Sequence, residues 1–60
     1  MKATIQRFLS REAANKFADR LEQLCGRKIY RSVYVLRGHH ACTVSGDFTQ
    51  EQIDQAKETA

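Results

Sequence analysis

The 60-residue chain has no proline, only three glycines, and no low-complexity run that could act as a linker. We therefore predict that residues 1–60 form a single small domain. A domain of this length buries only about 60% of the surface of its unfolded chain, so its core is thin. Such domains commonly gain stability from a disulfide, a metal ion or a partner subunit.

Long apolar segments are also missing. No stretch approaches the roughly 20 apolar residues needed to cross a membrane. The N-terminal segment lacks the unbroken apolar region of a signal peptide. We therefore expect a cytoplasmic protein with no membrane partner, in which Cys25 and Cys42 are reduced thiols.

The motifs of common active sites are absent too. The sequence has no glycine-rich phosphate loop, no serine in a nucleophile elbow and no Cys-x-x-Cys pair. His40, Cys42 and Cys25 could converge on zinc, but both cysteines fall on apolar stripes, where reduced cysteine behaves as a small hydrophobic residue. We therefore predict a non-enzymatic protein with no metal and no cofactor.

Negative charge is missing from the middle of the chain. The net charge is +3, no acidic residue occurs between Gln23 and Gly46, and four of the seven acids follow from Asp47 onward. The bases of this central segment are Arg27, Lys28, Arg31 and Arg37. This distribution fits either ordinary surface charge or a footprint for nucleic acid or an acidic protein.

The periodicity of the apolar residues predicts the first two elements. Residues 2–8, "KATIQRF", alternate in polarity and predict a strand with Ala3 and Ile5 on its buried face. Residues 11–25 show helical spacing, with Ser10 as the N-cap and Gly26 as a left-handed C-cap.

The C-terminal segment predicts a second helix. Thr49 is placed as its N-cap and Gln52 completes a capping box. Phe48 and Ile53 occupy the two positions of a hydrophobic staple. A helix of about 11 residues is marginal alone, so we expect it to dock on the rest of the domain.

Between the helices, "VYVLRGHHACTV" predicts a hairpin. A type II′ turn at Gly38 and His39 would pair Val35 with Cys42. That register places four small residues on one face, which are Val33, Val35, Cys42 and Val44. The opposite face would carry Tyr30, Tyr34 and Leu36.

The resulting fold class is α+β, with the order β-α-β-β-α. We expect a three-stranded mixed sheet, because a strand–helix–strand unit normally makes a right-handed parallel crossover. Both helices would pack on one face of this sheet. Arg31 falls on the helix side and would reach solvent at the rim.

The uncovered face is the leading candidate for a binding site. Its tyrosines could stack nucleic-acid bases, bury themselves in a protein or self-association interface, or simply cover the sheet. An unprotected edge and an apolar face favour a homodimer or larger assembly. The predicted contact residues are Tyr30, Tyr34, Leu36, Arg27, Lys28, Arg31 and Arg37.

Two family resemblances bear on function. The segments "RSVYVL" and "CTVSGDFTQEQIDQAKE" resemble the DinI-like family of small RecA-modulating proteins, which implies the β-α-β-β-α order and a non-enzymatic modulator. The last helix of that family is acidic, and here it carries Glu51, Asp54 and Glu58.

The "GHH" turn is similar to the hairpin of HicA-type messenger-RNA interferases, which implies His39 or His40 as a catalytic residue.

We therefore predict a small protein that regulates or inhibits a nucleic-acid or nucleoprotein machine, using the open sheet face and the basic central segment. The alternatives are a direct single-stranded nucleic-acid binder and a HicA-like ribonuclease.

Overall fold

The computed structural model describes residues 2–59 and has the predicted order of elements. These are β1 (Lys2–Phe8), α1 (Arg11–Cys25), β2 (Tyr30–Leu36), β3 (His39–Gly46) and α2 (Gln50–Glu58). The α+β class and the packing of both helices against one sheet are confirmed.

The ends of α1 follow from its capping residues. Ser10 has extended backbone geometry, and its hydroxyl accepts a hydrogen bond from the Ala13 amide. Gly26 ends the helix at φ 69°, and its amide donates to the Glu22 carbonyl at 2.9 Å. A left-handed residue is needed at this position, and glycine adopts it without steric cost. Both predicted caps are confirmed.

The second helix docks through its first turn. Thr49 and Gln52 form the predicted capping box. The Gln52 side-chain amide also donates to the Leu24 carbonyl at 3.1 Å, which ties the start of α2 to the end of α1. Phe48 and Ile53 are both buried in the core. These contacts give the short helix the tertiary support that it needs.

The sheet has the order β1-β3-β2, and both of its ladders are antiparallel. The expectation of a mixed sheet is therefore wrong in its pairing. β1 and β2 do run in the same direction, because each is antiparallel to β3. They are not hydrogen-bonded neighbours, since β3 lies between them.

The hairpin turn lies one residue earlier than the sequence suggested. Arg37 (φ 51°) and Gly38 (φ 80°) both have positive φ, as a type I′ turn requires, so the predicted type II′ turn at Gly38 and His39 is wrong. Val35 is consequently opposite His40 rather than Cys42. Type I′ matches the right-handed twist of the flanking strands. The shift is two residues in register, so every side chain of β2 and β3 keeps its predicted face.

The face assignment of β1 is reversed. Ala3 and Ile5 point away from the helices, and Phe8 points toward them, with its ring centroid 5.2 Å from that of Phe17. Ile5 and Phe8 are three residues apart, so a strand cannot bury both on one face. Phe8 takes the inner face because it packs there against the α1 ring of Phe17.

The core lies between the sheet and the helices. Phe17, Leu21, Ile53, Val44 and Cys42 are its largest fully buried side chains. Because these residues come from both helices and the central strand, one cluster holds the two layers together.

Candidate functional site: the open sheet face

The sheet surface opposite the core is left uncovered by both helices. We call it the open sheet face. Its residues follow from the two registers, and they are Ala3, Ile5, Arg7, Tyr30, Ser32, Tyr34, Leu36, His39, Ala41, Thr43 and Ser45. The whole face therefore comes from three strands and not from any loop.

Large apolar side chains remain exposed on this face. Tyr30 is 64% exposed, Ile5 57%, Leu36 39% and Tyr34 38%. The helices, in contrast, leave none of their large apolar side chains exposed. Among residues 2–59, four of the six exposed large apolar residues lie on this face, and the other two are Leu9 and Val35. Exposed apolar residues grouped on one surface indicate an interaction site more strongly than scattered ones do.

Tyr34 is the best-fixed aromatic side chain of the open sheet face. It is opposite Ala41 of β3, and its hydroxyl hydrogen-bonds the Thr43 hydroxyl at 3.0 Å. Because Thr43 also belongs to β3, the ring extends across the sheet surface from β2. The hydrogen bond holds the ring along the sheet while leaving more than a third of the residue exposed.

Arg7 shares a cross-strand row with Tyr34. Ala41 is the opposite residue of both, so the row runs Arg7, Ala41, Tyr34 from one edge of the sheet to the other. Arg7 is exposed, and within residues 2–59 it makes no ion pair or side-chain hydrogen bond. None of the three strands contains an acidic residue. The charge of Arg7 is therefore directed to solvent.

Arg31 lies on the other side of the sheet. It is opposite Val44, and its guanidinium contacts Asp19 at 2.6 Å and Glu22 at 2.7 Å, both on α1. Burial lowers the pKa of Arg31, but the hydrogen bonds to the two carboxylates outweigh burial and the net shift is upward. The predicted helix-side position is thus found. Its proposed role as a contact residue beside the tyrosines does not fit this geometry.

The other predicted cations lie at opposite ends of β2. Arg27 and Lys28 precede the strand, where Arg27 forms an exposed ion pair with Asp47 at 3.3 Å. Arg37 follows the strand in the hairpin turn, is exposed, and forms no ion pair among residues 2–59. Arg37 is therefore the cation of the central segment that adds its positive charge to that of Arg7.

Sequence reasoning missed Ile5 and Arg7 as members of the candidate site. The available signal was Phe8, since burying its ring turns both residues outward through the two-residue period of a strand. The interpretation of β1 relied on Ala3 and Ile5 alone, and so it placed the strand with the wrong face inward.

The two histidines do not share a surface. His39 is opposite Leu36 on the open sheet face, whereas His40 is opposite Val35 and Phe8 on the helix side. Burial raises the pKa of the Cys42 thiol, which disfavours the thiolate that binds metal. Among residues 2–59, no group of three or more histidine, cysteine or acidic side chains is placed to hold a metal ion.

Comparisons with family models, curated proteins and solved structures find no match for this chain. Within residues 2–59, neither helix has the length and apolar character needed to span a membrane. The fold and the site define a small α+β protein with one uncovered sheet face, and its function has to be argued from the chemistry of that face.

Proposed function

We propose that the protein is a small non-enzymatic binding protein that regulates or inhibits a nucleic-acid or nucleoprotein machine. The open sheet face is its contact surface, and the basic residues around the face steer it to its target. One observation carries this proposal: exposed large apolar residues occur together with Arg7, which has no ion-pair partner among residues 2–59, on a sheet whose strands contain no acidic residue.

The chemistry of the face supports binding over catalysis. It carries tyrosine and arginine side chains, which are enriched among the energetically important contacts of interfaces. The HicA-like alternative needs one catalytic histidine, and His39 is the one of the two that lies on the open sheet face, since His40 is on the helix side.

The resemblance to the DinI-like family supports the modulator part of the proposal. The order of elements agrees with that family, and Glu51, Asp54 and Glu58 are exposed on α2. These acids belong to the helix layer, on the other side of the domain from the open sheet face. The protein therefore offers two surfaces of different charge to a nucleoprotein complex.

Self-association remains part of the proposal and has its own structural argument. β1 and β2 are both edge strands, and neither contains proline. Such edges expose unpaired backbone donors and acceptors that can pair with a second chain. Light scattering coupled to chromatography should show a dimer or larger assembly, and a monomer at every concentration would remove this part.

The contact surface can be tested by photocrosslinking in the cells that produce the protein. Tyr30 is replaced by p-benzoylphenylalanine, since it is exposed and makes no side-chain hydrogen bond among residues 2–59. The matched control carries the same group in place of Gln55, an exposed residue of α2. Nuclease and protease digestion of each adduct identifies its partner as nucleic acid or protein, and mass spectrometry identifies the protein.

We expect position 30, and not position 55, to give an adduct with nucleic acid or with a component of a nucleoprotein complex. The same adducts from both positions, or none from position 30, would contradict the proposed contact surface. An adduct with an unrelated protein would contradict the proposed class of target.

A further inference from the structure

We infer that the open sheet face binds a short segment of single-stranded nucleic acid directly. This inference rests on the proposed function and names its partner. It is carried by charge complementarity, by the orientation of Tyr34 and by the cross-strand row that joins Tyr34 to Arg7.

Charge is separated between the two layers of the domain. All seven acidic residues lie in α1, in α2 or in the loop that precedes α2. Of the cations nearest the sheet, Arg31 is neutralised by two carboxylates of α1, while Arg7 and Arg37 have no such partner among residues 2–59. The open sheet face is thus complementary to a polyanion.

The same charges argue against a second copy as the occupant of this face. Two open sheet faces packed together would bring the Arg7 and Arg37 side chains of both copies into one interface that contains no acid from either sheet. Like charges brought together in this way are unfavourable, and the cost rises as water is excluded. Self-association through an edge strand does not meet this obstacle.

The tyrosines supply surfaces for base stacking. The hydrogen bond to Thr43 holds the Tyr34 ring along the sheet, with part of the residue open to solvent. Tyr30 lies on the same face of the same strand, four residues earlier and about 13 Å away. Stacking on aromatic rings is sequence-tolerant, because every base has a flat π-face.

The row of Arg7, Ala41 and Tyr34 places a cation beside the stacking ring. The two outer strands are about 10 Å apart, since two strand spacings separate them. The small side chain of Ala41 lies between them and is fully buried, so neighbouring side chains cover the central strand at this row. A base can stack on Tyr34 while its phosphate reaches the guanidinium of Arg7.

A single strand fits this surface better than a duplex does. A three-stranded sheet is wider than the helix or two-stranded ribbon that enters a major groove. Aromatic platforms on a sheet contact bases that are unstacked and turned outward, which a paired duplex does not present. The size of the face suits two or three bases, as on other nucleic-acid-binding sheets.

Fluorescence anisotropy of the purified full chain tests the inference. The probes are labelled single-stranded DNA, single-stranded RNA and duplex DNA of about 12 nucleotides, a length within the range bound by small single-strand-binding folds. We expect binding to at least one single strand that weakens steeply with added salt, together with weaker binding to the duplex. The DNA and RNA arms identify the type of strand.

Substitutions at two positions test the contacts. Tyr34→Ala should weaken binding about tenfold by removing one stacked base, whereas Tyr34→Phe keeps the ring and should retain most of the affinity. Arg7→Gln should weaken binding and lower the slope of log affinity against log salt by about 0.7, the loss expected for one phosphate contact. Arg20→Gln on α1 is the matched control for charge, and thermal unfolding shows whether each variant is folded.

Absence of salt-dependent binding to every single strand would overturn the inference. Equal effects of Arg7→Gln and Arg20→Gln, or tighter binding to the duplex, would overturn it as well. If no oligonucleotide binds while position 30 still crosslinks to a protein of a nucleoprotein complex, the inference fails and the proposed function stands. If position 30 also gives no adduct, both fail.

Discussion

The two faces of the sheet are built from the same strands but differ in the burial of their apolar side chains and in the pairing of their charges. The helix-covered face buries Val44 and Cys42 completely, and the charge of Arg31 on that face is paired with two carboxylates. The open sheet face leaves Ile5 and Tyr30 more than half exposed, and its Arg7 has no acid partner in the part of the chain that the structure describes. One face is therefore packed for stability, and the other leaves apolar and cationic side chains exposed to solvent.

This comparison predicts that truncations on the two faces will have very different costs. Phe17→Ala removes a fully buried ring and should destabilise the fold by about 3–5 kcal/mol, which is most of the stability expected of so small a domain. Ile5→Ala on the open sheet face should cost less than about 1 kcal/mol. Urea unfolding followed by circular dichroism measures both.

The contrast would break if Ile5→Ala proved as costly as Phe17→Ala. That result would mean that the open sheet face is packed in solution, so the free energy of unfolding of Ile5→Ala should also be measured over a range of protein concentrations. A dependence on concentration would identify the packing partner as a second copy.

The two arginines allow the same comparison for charge. Arg31→Gln removes a guanidinium that bridges Asp19 and Glu22, and it should cost about 1 kcal/mol because the pairs are only partly exposed. Arg7→Gln removes a cation that has no acid partner within residues 2–59, and it should change stability by less than about 0.5 kcal/mol. Urea unfolding in low and high salt separates the two, since screening should shrink the Arg31 effect.

Equal losses of stability in the two variants would contradict the assignment of Arg31 to structure and Arg7 to binding. In the oligonucleotide assay the two variants should rank in the opposite order, because Arg7→Gln should weaken binding more than Arg31→Gln does.

Local sequence signals predicted the elements well because capping is local chemistry. Ser10 caps the start of α1 and Gly26 caps its end. Thr49 and Gln52 cap the start of α2, and all of these contacts are made within a few residues. The order of strands was not predictable in this way. It depends on which strand lies in the middle, and the pattern of the hairpin is compatible with either partner for β1.

The open sheet face was only partly predicted for a similar reason. The strand period placed Tyr30, Tyr34 and Leu36 correctly, because a two-residue shift in register preserves every face. Ile5 and Arg7 were missed, since the choice between burying Ile5 and burying Phe8 depends on the α1 ring that Phe8 meets. Arg31 lies on the side that its position in the strand predicted, but its two partners lie 9 and 12 residues earlier on α1, where the strand pattern gives no information.

The smallest expected effect concerns the hairpin turn, where backbone geometry and positive charge favour different residues at position 37. Arg37 has φ 51°, a conformation that asparagine adopts more readily, and Asn-Gly is a preferred pair for type I′ turns. Arg37→Asn should therefore raise stability by about 0.5 kcal/mol while weakening binding to single strands, because it relieves backbone strain and removes a cation. Arg37→Lys is the control, since it keeps the charge and the strain. A gain in stability with no loss of binding would remove Arg37 from the site. A gain in stability together with weaker binding would instead explain why a strained arginine occupies a turn position that suits asparagine better.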